Sequence, residues 1–314
     1  MQALTRIVLG PAWQGISLVA LCYLLPFLSL FALVIEVFIT LRQGIVKGLI
    51  VGVGGTICGV LAEFLLSGFF IELNVTALTQ ALYWALFLAL PLWGFAALLR
   101  QTVSLQYTLQ VMTLVFMGLF VFSFFEQISF FPRVIHNVIN DNILKITAGQ
   151  KITQDIQLIN QFVIYLLEIV FIYTTYVFLI MMGRAWQSYI FMPKEFSKEF
   201  QMLRPGSFIT LSLASLLLME IIFSNSILSN GMILLILSGI LLIGAIWLSI
   251  TGLAYIHWVI AEYNIPVRVL ALFYLSLCLP IISSIVFIML LLIGLVDGFK
   301  DLRTITLRFL NPKV

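Results

Sequence analysis

Gly44 to Glu63 reads GIVKGLIVGVGGTICGVLAE, an apolar run in which Gly44, Gly48, Gly52, Gly55 and Gly59 recur at steps of four and three before an acid, Glu63, closes the stripe. At 3.6 residues per turn this spacing keeps all of them on one helical face. That face carries almost no side chain, so a second helix backbone can approach it closely, which is how helices associate where lipid removes the hydrophobic drive. The stretch therefore predicts a central transmembrane helix with a glycine ridge.

Composition extends this to the whole chain. Hydrophobic residues make up 62% of the 314, charged residues 9%, and mean hydropathy is +1.17. Soluble domains are roughly half apolar and a quarter charged. The expected fold class is all-α, a polytopic transmembrane helical bundle of eight to ten spans forming a single integral membrane domain. No polar stretch approaches the ~100 residues of an ordinary soluble domain, so any chemistry is intramembrane or interfacial. A net charge of +3 is the signature of topology in such a protein rather than of nucleic-acid binding. Cys22, Cys58 and Cys278 share no close spacing and read as small core residues.

In chain order, residues 7–41 form an apolar segment longer than one ~20-residue crossing needs, interrupted at Pro26. It is either one kinked helix or a pass to Leu25 and a shorter return from Phe27. The return places Arg6 beside Arg42 and Lys47. Further spans are read at 77–99, 105–125, 158–182, 208–223 and 231–262. Residues 266–296 are interrupted at Pro280 and read as one pass or a hairpin. Residues 126–157 form the external connection, with a short amphipathic helix expected around VIHNVINDNILKI. Residues 183–206, with Arg184, Lys194, Lys198 and Arg204, form the cytoplasmic loop, and 297–314 a tail expected on the same side. The positive-inside rule then puts the N-terminus in the cytoplasm of a cell whose plasma membrane the protein crosses several times.

Four glutamates lie within spans: Glu36, Glu63, Glu168 and Glu220. An ionisable group in hydrocarbon costs at least ~3 kcal/mol on insertion scales, so such residues face the protein interior, hold a proton or serve a site. Gln161, Tyr165, Glu168 and Thr175 share one face, and Ser29, Glu36, Thr40 and Gln43 make a second polar stripe. The ligand-binding candidates are therefore Glu168, Tyr165, Gln161, Glu36, Thr40, Glu63 and Glu220. His136 and His257 are the two histidines, which excludes a multi-histidine metal site. No HExxH, GxSxG or phosphate loop is present, so no catalytic residue, cofactor or metal is expected.

Two places in the chain resemble the YybS-like family of bacterial integral membrane proteins. One is Leu41-Arg42-Gln43-Gly44 leading into the glycine helix. The other is the C-terminal third, with Gly252-Leu253-Ala254 and His257, then Leu279-Pro280, then Gly294-Leu295-Val296-Asp297-Gly298-Phe299-Lys300-Asp301-Leu302-Arg303. His257, Asp297, Asp301 and Arg303 are its motif positions here. That family is similar, more distantly, to the substrate-binding S components of energy-coupling-factor vitamin transporters, through an early helix, a short helix and a Gly-rich helix ending in an acid. The resemblance implies a bundle with a substrate cavity and a partner complex of a membrane protein and ATPases. Gly15 to Leu25 carries no Ala-x-x-x-Ala, the small-residue spacing with which such components dock their partner. Two function classes follow: a non-enzymatic protein binding a small solute in an intramembrane cavity, or a membrane scaffold or assembly factor. The expected partners are the lipid bilayer, a small molecule, and a membrane-protein partner or a second copy.

Overall fold

The computed structural model describes residues 2–68, 75–126, 154–224 and 231–310, and every regular element among them is helical. The helices are α1 (Gln2–Val8), α2 (Ala12–Tyr23), a 3-10 turn (Pro26–Leu28), α3 (Ser29–Gln43), α4 (Ile45–Gly68), α5 (Val75–Thr102), α6 (Leu105–Glu126) and α7 (Gln154–Phe191). They continue as α8 (Glu195–Gln201), α9 (Ser207–Ser224), α10 (Gly231–Glu262), α11 (Val267–Leu277), α12 (Pro280–Phe299) and α13 (Leu302–Leu310). Among the described residues 6 helices are long and apolar enough to cross a membrane: α4, α5, α6, α7, α10 and α12. The protein is thus a multi-pass helical membrane protein; these six are fewer than the eight to ten spans expected, and α2, α9 and α11 are apolar but shorter. The amphipathic helix expected around VIHNVINDNILKI lies outside the described residues.

Two compact units divide the chain. The first takes in α1 to α5, the start of α6 and Phe171–Phe196; the second takes in the rest of α6, α7 up to Val170, and the described chain from Ser197 onward.

In the first unit the innermost helix is α3, whose residues 32–41 are all buried. Eight of these ten are apolar, and a helix that is hydrophobic nearly all round buries itself completely. The glycine helix α4 lies along it. The chain breaks at Pro26, as the return reading requires, because a proline interrupts the backbone hydrogen-bond ladder. Helices of 12 and 15 residues measure about 18 and 22 Å, short of the ~30 Å hydrocarbon core. Tyr23, the last residue of α2, packs on Gly59 of α4. The tip between α2 and α3 is apolar, with Phe27 95% exposed, a surface suited to hydrocarbon rather than water.

Arg100, at the end of α5, donates to the carbonyls of Thr40 and Leu41. It thereby satisfies acceptors that the end of α3 leaves without helical partners. Lys47 Nζ reaches Gly10 O at 2.9 Å, so the start of α4 and the end of α1 lie together, as the shared side of Arg6, Arg42 and Lys47 predicts. Within α5, Pro91 has no N–H to give Phe87 O. The Tyr176 hydroxyl replaces it, 3.2 Å from Phe87 O and 2.8 Å from Leu88 O. Tyr176→Phe is expected to lower stability by about 1–3 kcal/mol, the cost of a buried carbonyl left unsatisfied. Thermal unfolding in detergent, compared with Tyr83→Phe at an exposed site, measures it.

In the second unit α10 is the axis. Its first half runs antiparallel to α9, with Ser238 opposite Glu220 and Gly244 against Leu213. Its second half runs antiparallel to α12, where Gly252 meets the backbone of Leu290 and Gly294 that of Leu248. A Cβ at either glycine would overlap a carbonyl oxygen, so backbones touch here as a small-residue interface requires. Gly239 makes room for Phe120 of α6, which in turn packs edge-on against Phe162 at 6.0 Å. The C-terminal interruption falls at Pro280, where α11 of 11 residues gives way to α12 of 20.

Candidate functional site

Three groups of polar residues emerge from these units. The first is the polar stripe of α3, which docks onto the glycine ridge of α4. A Cβ at Gly52 would fall on the Glu36 carboxyl, and one at Gly48 on Thr40. Farther along, Gly55 faces Val19 and Gly59 faces Tyr23. Gly44 stands apart from the ridge: with φ of 120° and open space around it, it ends α3, a left-handed position suited to glycine. Glu36 is 1% exposed, and its Oε1 has no hydrogen-bond partner among the described residues. Glu63, the acid at the end of the stripe, is exposed.

The second group lines an open apolar pocket of about 550 Å³ on the second unit, bounded by α9, α10 and α12, with Leu217, Leu218 and Leu242 of its walls themselves exposed. Leu213, Leu217, Leu242 and Leu291 are among its walls, and Glu220 and Ser238 are its polar lining residues. Ser238 Oγ donates to Glu220 Oε1 at 2.5 Å and also lies 2.8 Å from Leu234 O. A carboxylate has about four acceptor sites, so this contact leaves it capacity for a ligand donor.

The third group gathers the C-terminal motif. Arg303 and Asp297 pair at 2.6 Å, with side chains 5% and 0% exposed. Arg303 also donates to Gln201 O and Leu203 O, and Asp297 accepts from Leu302 N. These bonds hold α13 beside the segment that links α8 to α9. Arg204 pairs with Asp301, whose carboxyl also accepts from Thr304 N. The guanidinium holds the Asp301 carboxyl well below the usual carboxylate range, and the same pairing raises Arg204. Gln110 donates to Arg204 O and Pro205 O. The amide-rich start of α6 thus binds protein backbone. His257 is held by Leu253 O at 2.9 Å and the Tyr274 hydroxyl at 3.0 Å, with Phe200 edge-on at 5.1 Å. Its ring nitrogens are both engaged, which makes it a packing residue.

Of the other candidates, Tyr165 and Glu168 are buried in the second unit, while Glu36 and Thr40 belong to the first. The Gln161 side chain lies outside what is described. Ser238 was not singled out by its sequence context, because a lone serine in an apolar helix usually bonds its own backbone. Only pairing with Glu220 across two helices sets it apart. Among the described residues no group of three or more His, Cys, Asp or Glu could hold a metal ion. No family model, curated protein or solved structure matches the chain.

Proposed function

We propose that the protein is a non-enzymatic component of the plasma membrane that binds a small, mostly apolar solute in the cavity between α9, α10 and α12. The observation that carries this reading is a leucine-walled space of about 550 Å³ in which, among the described residues, Glu220 is the one carboxyl of the lining. Small-molecule sites span roughly 300–1,000 Å³, are mainly apolar and hold few polar groups, which fix orientation. Among the described residues no Lys or Arg lines the cavity, so the favoured solute presents a cationic or neutral donor to Glu220. This agrees with the solute-binding role implied by the resemblance to S components, with eight to ten membrane passes and a cytoplasmic N-terminus.

Binding of dodecylamine and of dodecanol to the purified full chain tests the reading. Glu220→Gln is expected to weaken the amine about tenfold, equivalent to ~1.4 kcal/mol, while dodecanol changes less. Leu242→Trp, which fills the cavity, is expected to abolish both. Unchanged binding in Leu242→Trp would remove the cavity from the proposal, and native mass spectrometry showing stoichiometric protein partners with no retained small molecule would favour a scaffold.

A further inference from the structure

We propose that Glu36 is a proton-binding site at the core of the first unit, and that α3 stays docked on α4 only while this carboxyl holds its proton. The carboxyl is enclosed, lies against the bare backbone of Gly52, and has an oxygen that meets no donor among the described residues. The cations among the described residues of this unit are engaged or exposed. Arg42 lies 4.0 Å over the Phe191 ring, Lys47 binds Gly10 O, and Arg100 binds Thr40 O and Leu41 O. Arg184 binds Gln187 and pairs with Glu195, while Arg6 and Lys194 are exposed.

The titratable neighbours do not neutralise it either. The Tyr23 hydroxyl accepts from Thr56, and that of Tyr176 is committed to α5 carbonyls. Thr40 Oγ1, one turn along α3, donates to the Glu36 backbone carbonyl rather than to its carboxyl. An ionised carboxylate buried without a partner costs far more than a neutral acid, so an enclosed group of this kind keeps its proton. Release therefore requires a route to water. The proton leaves to solvent, the carboxylate that remains cannot stay against Gly52, and the glycine ridge must part from α3. Proton occupancy and helix docking are then one equilibrium, with the docked state favoured at low pH and disfavoured as pH rises.

Infrared spectroscopy of the full chain in lipid, alongside Glu36→Gln, reads the proton directly. At neutral pH the wild type is expected to show a protonated-carboxyl C=O band that is missing from Glu36→Gln. The band should fade at alkaline pH together with a fall in unfolding temperature, whereas Glu36→Gln stays flat. Identical carboxyl regions in the two proteins, or the same pH dependence of stability in both, would overturn the proposal. If Glu36→Gln does not fold, Glu36→Asp serves instead: a displaced band supports the assignment, and an unmoved one refutes it.

Discussion

Arg303→Ala is expected to destabilise the protein by about 3–5 kcal/mol, the cost of stranding one member of a buried ion pair. The Asp297 side chain is fully enclosed, so it cannot recover its lost partner from water. The same substitution removes the donors that hold Gln201 O and Leu203 O, releasing α13 from the segment before α9. Arg204→Ala provides the contrast. Both side chains of the Arg204–Asp301 pair are 34% exposed, and partly solvated pairs contribute about 0–1 kcal/mol. Replacing Arg303 and Asp297 together by Met and Leu should recover most of the loss, because two apolar groups leave no orphaned charge. Denaturant unfolding of the four proteins measures the difference.

Gly52→Leu is the second large effect expected, at about 3 kcal/mol, the upper part of the usual overpacking range. A Cβ alone at this position already overlaps the Glu36 carboxyl, and the backbone of α4 cannot retreat without losing contact at Gly48 and Gly55 as well. Gly94 of α5, with no neighbour within 4 Å of an added Cβ, is the control. Gly94→Leu should leave the unfolding temperature nearly unchanged. A similar loss in both would mean that helix propensity, rather than the close approach of α3, governs the glycine positions.

These two cases also show what could be read from the chain before its fold. The membrane class and the glycine interface were legible because the bilayer imposes simple rules, apolar length and small residues where helices touch; the rule that embedded acids turn inward holds for Glu36 and Glu168 but not for Glu63, which is exposed. The breaks at Pro26 and Pro280 followed from the missing N–H of proline. Periodicity could not say that α3, rather than the glycine helix, would be the most enclosed element, because a short helix apolar on nearly every side looks the same wherever it packs. The stripe rule also carried Gly44 onto the ridge, although a left-handed backbone ends the preceding helix there.

The site was less legible. Glu220 was one of several embedded acids, and only the arrangement of α9, α10 and α12 gives it a cavity and Ser238 as a partner. Pairing across helices has no signature in a one-dimensional pattern. The Asp297 and Arg303 motif was visible as residues, but its purpose, joining the tail to backbone carbonyls a hundred positions earlier, depends on long-range folding.

Intrachain cross-linking of Gly15→Cys with Val51→Cys, after replacement of Cys22, Cys58 and Cys278, tests the docking of the α2–α3 hairpin on the glycine helix most directly. An added Cβ at Gly15 would lie 3.0 and 3.2 Å from the two Val51 Cγ atoms, directly against the position that a cysteine sulfur at 51 would occupy, and a disulfide forms only between side chains that face each other at such close range. Ile50, the residue before Val51, is half exposed, whereas Val51 is buried. Oxidation in native membranes should close the 15/51 pair almost completely and leave the 15/50 pair open. Closure of 15/50 in preference to 15/51 would contradict the docked ridge and the placement of Glu36 against it.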